Sequence, residues 1–98
     1  MVATNQNLAK IFQEIAQLLE IKGVAFKPQA YRKAAKAIEN LEKDIAPDFE
    51  KIPGIGESIS KKIKEYLKTR KINDYEKLKK ETAIQQLIAY YFETKGLS

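Results

Sequence analysis

Residues able to do chemistry are few in kind here. The chain of 98 residues has no cysteine and no histidine, which removes disulfides, thiolate metal sites and the commonest general base. Any reaction must run on Lys, Tyr, Ser and carboxylates. Those groups concentrate in residues 50–70, EKIPGIGESISKKIKEYLKTR. Pro53-Gly54-Ile55-Gly56 makes a tight turn there, and the following segment puts Ile59, Ile63, Tyr66 and Leu67 on one helical face. The two glycines reach backbone angles closed to other residues and let another backbone come close. The amides that open the helix lack intrahelical partners, so Gly54, Gly56 and Glu57 open a site suited to a phosphate. At roughly 100° per residue, Lys62 lies at the edge of the apolar face, whereas Lys61, Lys64 and Lys68 point away from it. An ammonium half out of water and near other cations is pushed toward its neutral, nucleophilic form. The same position also suits a lysine that lays its stem over the core and touches phosphate. By itself a Pro-Gly-x-Gly is only a turn; the helix and lysines behind it make this one a candidate.

Charge singles out the same stretch. Residues 51–71 hold seven basic side chains against Glu57 and Glu65, an excess of five that equals the formal net charge of the chain, +5. On either side of the stretch, basic and acidic residues balance. A local excess is the footprint of a polyanion site. No apolar run approaches a bilayer span and the N-terminus lacks a signal pattern, so an intracellular protein without a membrane partner is expected.

The elements that must position these residues are helical throughout. Asn5 or Thr4 is placed to cap a first helix with Leu8, Ile11, Phe12, Ile15, Leu18 and Leu19 inward, ended by Gly23. Pro28 suits the first turn of a second, whose inner side carries Tyr31, Ala34, Ala35, Ile38 and Leu41, with Arg32, Lys33 and Lys36 on its other faces. A polar link over residues 43–48 leads to an expected single helical turn at residues 49–52, the hairpin, and the helix ending near Arg70. Asn73 or Asp74 caps a short helix with Tyr75 and Leu78 inward, and Thr82 opens a last one with Ile84, Leu87, Ile88 and Tyr91 on its inner face, closed by Gly96. No segment alternates long enough to be a strand. The expected fold is an all-α, small compact helical bundle of about six helices, residues 1–98 forming a single domain with its hairpin at residues 53–56.

The run LAKIFQEIAQLLEIKGVAFKPQAYRKAAKAIENL followed by IPGIGESISKKIKEYLKTRKI resembles the N-terminal lyase domain of family X DNA polymerases, the type found in DNA polymerase beta. The resemblance covers about residues 7–80, and its most specific parts are AYRKA at residues 30–34 and PGIG with a lysine six residues after its second glycine. It implies a helix-hairpin-helix domain that binds the 5′ side of gapped, nicked or abasic DNA. In many members such a domain removes a 5′-deoxyribose phosphate through a lysine Schiff base at C1′, followed by β-elimination, as in base excision repair. On this resemblance Lys62 occupies the nucleophile's position, Lys27 that of a lysine binding the 5′ phosphate, and Tyr31 that of a tyrosine lining the pocket. The hairpin glycines with Ser58, Lys61, Lys64 and Lys68 complete the expected phosphate contacts. No cofactor is required, but the backbone carbonyls of Glu50, Ile52 and Ile55 stand where the family holds a monovalent cation, Na⁺ or K⁺.

The sequence departs from that pattern at instructive places. Ser58 replaces a phosphate-contacting lysine, and Lys61 replaces the acidic residue before the nucleophile. A second lysine can restore a phosphate contact but cannot stand in for a carboxylate. No pair of metal-binding aspartates is present, so the chain is not a polymerase by itself. Its last helix has the pattern of a finished end, which favours a free-standing relative over an excised domain. Two alternatives to the lyase remain: a DNA-binding module without chemistry, and a docking domain for a separate polymerase or nuclease subunit, to which Tyr90 and Phe92 are suited.

Overall fold

Leu8, Phe12, Ile15 and Leu19 recur at the spacing of one helical face, and in the computed structural model, which describes residues 3–96, that face is the floor of the core. Helix α1 (Ala3–Ile21) lies against α2 (Lys27–Glu39), and α3 (Glu57–Thr69) and α4 (Asn73–Gly96) complete the structure. Ala34 and Ala35 are fully buried, so the backbones of α1 and α2 approach closely, and Phe12 meets Tyr31 with ring centroids 5.7 Å apart. From α3, Ile59, Ile63 and Tyr66 close the core, joined by Ile45, Ile55 and Ile72 from the connections. The all-α expectation holds, with no strand among the described residues, and no described helix is long and apolar enough to cross a membrane.

Several local expectations do not hold. Asn5 does not cap α1: it sits inside that helix, fully buried, and clamps the link after α2. Its amide donates to the Lys43 carbonyl and its carbonyl accepts from the Ile45 amide, both at 2.8 Å. The link therefore contributes Ile45 to the core, although its composition reads as polar. Residues 49–52 form no helical turn; Phe49 and Ile52 pack against the core from irregular backbone. The described residues form four helices rather than about six, because the turn at residues 49–52 is absent and the two expected after Asn73 are one. Nothing in residues 73–95 breaks a helix, there being no glycine or proline. Thr82, expected to open the last helix, is buried in its middle.

The continuous α4 has a second consequence. Tyr75, Leu78 and Thr82 face the core, whereas Ile84, Leu87, Ile88 and Tyr91, expected to face inward, are exposed. The helix runs past the rest of the structure, and with it the overall extents are 56 × 25 × 23 Å. Helix α4 is tied to the residue just after α1 by a Lys22–Glu81 ion pair at 2.6 Å and to α1 itself by Tyr75, whose hydroxyl donates to Glu14.

Candidate nucleic-acid interface

Pro53 and Gly54 are the corner residues of a turn closed by the Ile55 amide donating to the Ile52 carbonyl at 3.1 Å. Gly54 has φ +87°, a left-handed angle that glycine adopts without strain. Ile55 is buried and pins the turn to the core. Gly56 differs from the expectation: its φ of −73° and ψ of 168° are open to any residue. It is the residue before α3, with its carbonyl accepting from the Ser60 amide at 2.9 Å. A Cβ built on Gly56 would meet nothing within 4 Å, so its smallness keeps a surface open rather than relieving a clash.

Behind this turn lies a cavity of about 500 Å³ between the C-terminal end of α1 and the first turns of α2, α3 and α4. Lys27 and Tyr31 reach it from α2, Gly56 and Ser58 from the start of α3, Lys62 from one turn further, and Asp74 and Lys77 from α4. Three helix N-termini thus converge on one space, each bringing the positive end of a helix dipole. Lys22 and Glu81 line it as well, already paired with each other.

Lys62 is the least exposed of these cations, its side chain 15% accessible. Its Nζ lies 3.2 Å from the Asp74 carboxylate and donates to Ser58 Oγ at 3.4 Å. Burial acts to lower its pKa, but the hydrogen bond to Asp74 and the nearby Tyr31 hydroxyl outweigh burial and hold the ammonium above its ordinary value. The expected push toward a neutral amine is therefore reversed in the free protein. Asp74 was expected only as a cap for its helix; the amide that opens α4, that of Asn73, is instead taken by Glu65 at 2.9 Å.

Lys61, Lys64 and Lys68 do not reach the cavity. They stand exposed on the outer faces of α3, with Lys64 6.0 Å above the Phe49 ring. Gly54 instead neighbours Arg32, Lys33 and Lys36 of α2 around a shallow depression, so the turn is flanked by basic residues from two helices. Arg32 is tied to Glu20 by an ion pair. Sequence reasoning also missed Phe26, which is 89% exposed and held at φ +70° immediately before Lys27. An aromatic ring beside a candidate phosphate lysine was the available signal. The carbonyls of Glu50, Ile52 and Ile55 are neutral oxygen donors of the kind a monovalent cation takes, although that of Ile52 already accepts the turn's hydrogen bond. No group of three or more acidic side chains that could hold a metal ion occurs among the described residues.

Residues 3–72 match the family described as the helix-hairpin-helix domain, whose members are in general DNA-binding. A search of curated proteins finds no significant match.

Proposed function

Because the chain belongs to the helix-hairpin-helix domain family, we propose that it binds the backbone of gapped or nicked DNA and takes a 5′-phosphate end into the cavity between α2 and α3. The observation that carries this reading is the convergence of three helix N-termini with Lys27, Lys62 and Lys77 on one space beside an open hairpin. In this reading the amides of Gly56 and Glu57, with Lys61, Lys64 and Lys68, grip successive backbone phosphates irrespective of sequence. Phe26 offers its ring to an unstacked base at the gap. A Na⁺ or K⁺ ion held by the carbonyls of Glu50, Ile52 and Ile55 would supply a positive bridge to one more phosphate. A repair role fits such a ligand, with a separate polymerase or nuclease acting at the same gap.

The cavity also supports a finer reading, removal of an abasic or 5′-deoxyribose phosphate sugar by Lys62. Once deprotonated, its Nζ attacks C1′ of the ring-opened sugar, and the C1′ oxygen departs as water to leave an imine. Loss of a C2′ proton then drives cleavage of the C3′–O bond, the phosphate leaving with the electron pair, and hydrolysis returns the free lysine. The raised pKa of Lys62 favours a competing reading, a module that binds without chemistry, since the ammonium form cannot attack.

Salt titration and trapping separate these readings. Affinity for gapped DNA should fall steeply as salt rises, and Gly56→Glu, which sets a carboxylate on the open surface, should weaken it. Salt-independent binding, or full affinity in Gly56→Glu, would remove the hairpin from the account. Borohydride reduction in the presence of abasic DNA should leave a covalent adduct that Lys62→Ala abolishes while DNA binding persists. Binding with no adduct leaves the module without chemistry.

A further inference from the structure

The two halves of α4 are amphipathic out of phase. Its first half turns Tyr75, Leu78 and Thr82 to the core. Continuing that face at roughly 100° per residue leads to Gln85, Gln86 and Ala89, while Ile84, Leu87, Ile88 and Tyr91 gather on roughly the opposite side. Those four are 51–67% exposed, with Phe92, 67% exposed, at their edge. Residues 83–92 carry no charge at all. The stretch is rich in Ile, Tyr and Phe, which are indifferent helix formers, and its large apolar side chains lie outside the core.

We propose that this half of α4 is a self-association surface, through which two copies of the chain pair antiparallel about a two-fold axis passing between Leu87 and Ile88. The pattern itself selects a second copy. Positions 84, 87, 88 and 91 are symmetric about their midpoint, so an antiparallel pairing sets Ile84 against Tyr91 of the other copy and Leu87 against Ile88, apolar on apolar throughout. This is the self-complementarity a two-fold interface requires. Electrostatics permits it, because the excess charge of the chain lies in residues 51–71, on the body, and the paired surfaces are neutral. The five exposed side chains leave roughly 600 Å² per chain, so two copies would bury about 1,200 Å², at the lower edge of stable interfaces. A dimer of about micromolar strength follows rather than an obligate one. Pairing at this point would carry two hairpin surfaces in one particle, one at each end, and give it two-site avidity for DNA.

Sedimentation equilibrium on the intact chain, from about 1 μM to about 500 μM, tests this directly. The mass should rise from 11.2 kDa toward twice that value and stop there. Leu87→Glu should hold it at 11.2 kDa across the range. The absence of native cysteine makes the register testable too. Ile84→Cys and Tyr91→Cys together should cross-link two copies on oxidation, whereas either alone should not. A wild-type chain that stays monomeric throughout overturns the proposal and leaves the surface to a different partner. Association that passes beyond two copies, that Leu87→Glu does not disturb, or that Ile84→Cys alone cross-links overturns it equally.

Discussion

The two hairpin glycines carry different demands. Gly54 is glycine because of its backbone, at φ +87°, whereas Gly56 is glycine because of its surface. Gly54→Ala should therefore cost about 1 kcal/mol of folding stability through left-handed strain. Gly56→Ala should leave the unfolding midpoint nearly unchanged yet weaken DNA binding; equal effects of the two on stability would contradict this division. Lys62 depends on Asp74 in a comparable way. Asp74→Asn removes the carboxylate that holds the lysine charged, so the pH profile of any borohydride-trapped adduct should move to lower pH. An unmoved profile would mean that the amine which reacts is not the one Asp74 touches. Lys27, Tyr31 and Lys62 could be named together only through the family resemblance, with helical phase adding partial support for Lys62, and all three line one cavity. Asp74 was not legible in the sequence, because it reaches Lys62 from a different helix across an irregular turn, and no periodicity reports such a meeting.

At the scale of elements, buried polar clamps do what propensity cannot foretell. Asn5 fills two hydrogen bonds of the link after α2, and that link delivers Ile45 to the core. Asn5→Ala would leave a buried amide and carbonyl unpaired, at a cost of about 2–3 kcal/mol measurable by denaturant unfolding; a loss under about 0.5 kcal/mol would show the clamp to be dispensable. Tyr75 ties α4 to α1 through Glu14, and burial together with that carboxylate pushes its phenol up to about 12. Since the folded chain keeps this proton where the unfolded chain releases it, the stabilisation is complete below about pH 10 and fades as pH rises toward 12. Tyr75→Phe should lack this alkaline component, seen as a shallower decline of stability than the parent's over that range. Three helix faces were readable because their apolar residues recur with a single phase. In α4 the phase shifts by about half a turn after Thr82, and a face so displaced reads as a separate inward-facing helix when it is the exposed half of a continuous one.

Over the whole molecule, charge and shape divide the labour. The first turns of α2, α3 and α4 gather with Lys27, Lys62 and Lys77 around one cavity, while the second half of α4 projects an uncharged apolar stripe away from it. On the function proposed above, general duplex affinity would rest on the hairpin and the outer lysines of α3, and preference for a phosphorylated end on the cavity. The most direct measurement is a binding titration of one-nucleotide-gapped DNA with and without the 5′ phosphate, on the parent chain and on Lys27→Ala. The account predicts that the parent favours the phosphorylated gap by about tenfold, and that Lys27→Ala loses most of that preference while keeping its affinity for unbroken duplex. Equal binding of the two gaps by the parent, or a proportional loss on every DNA in the variant, would contradict it.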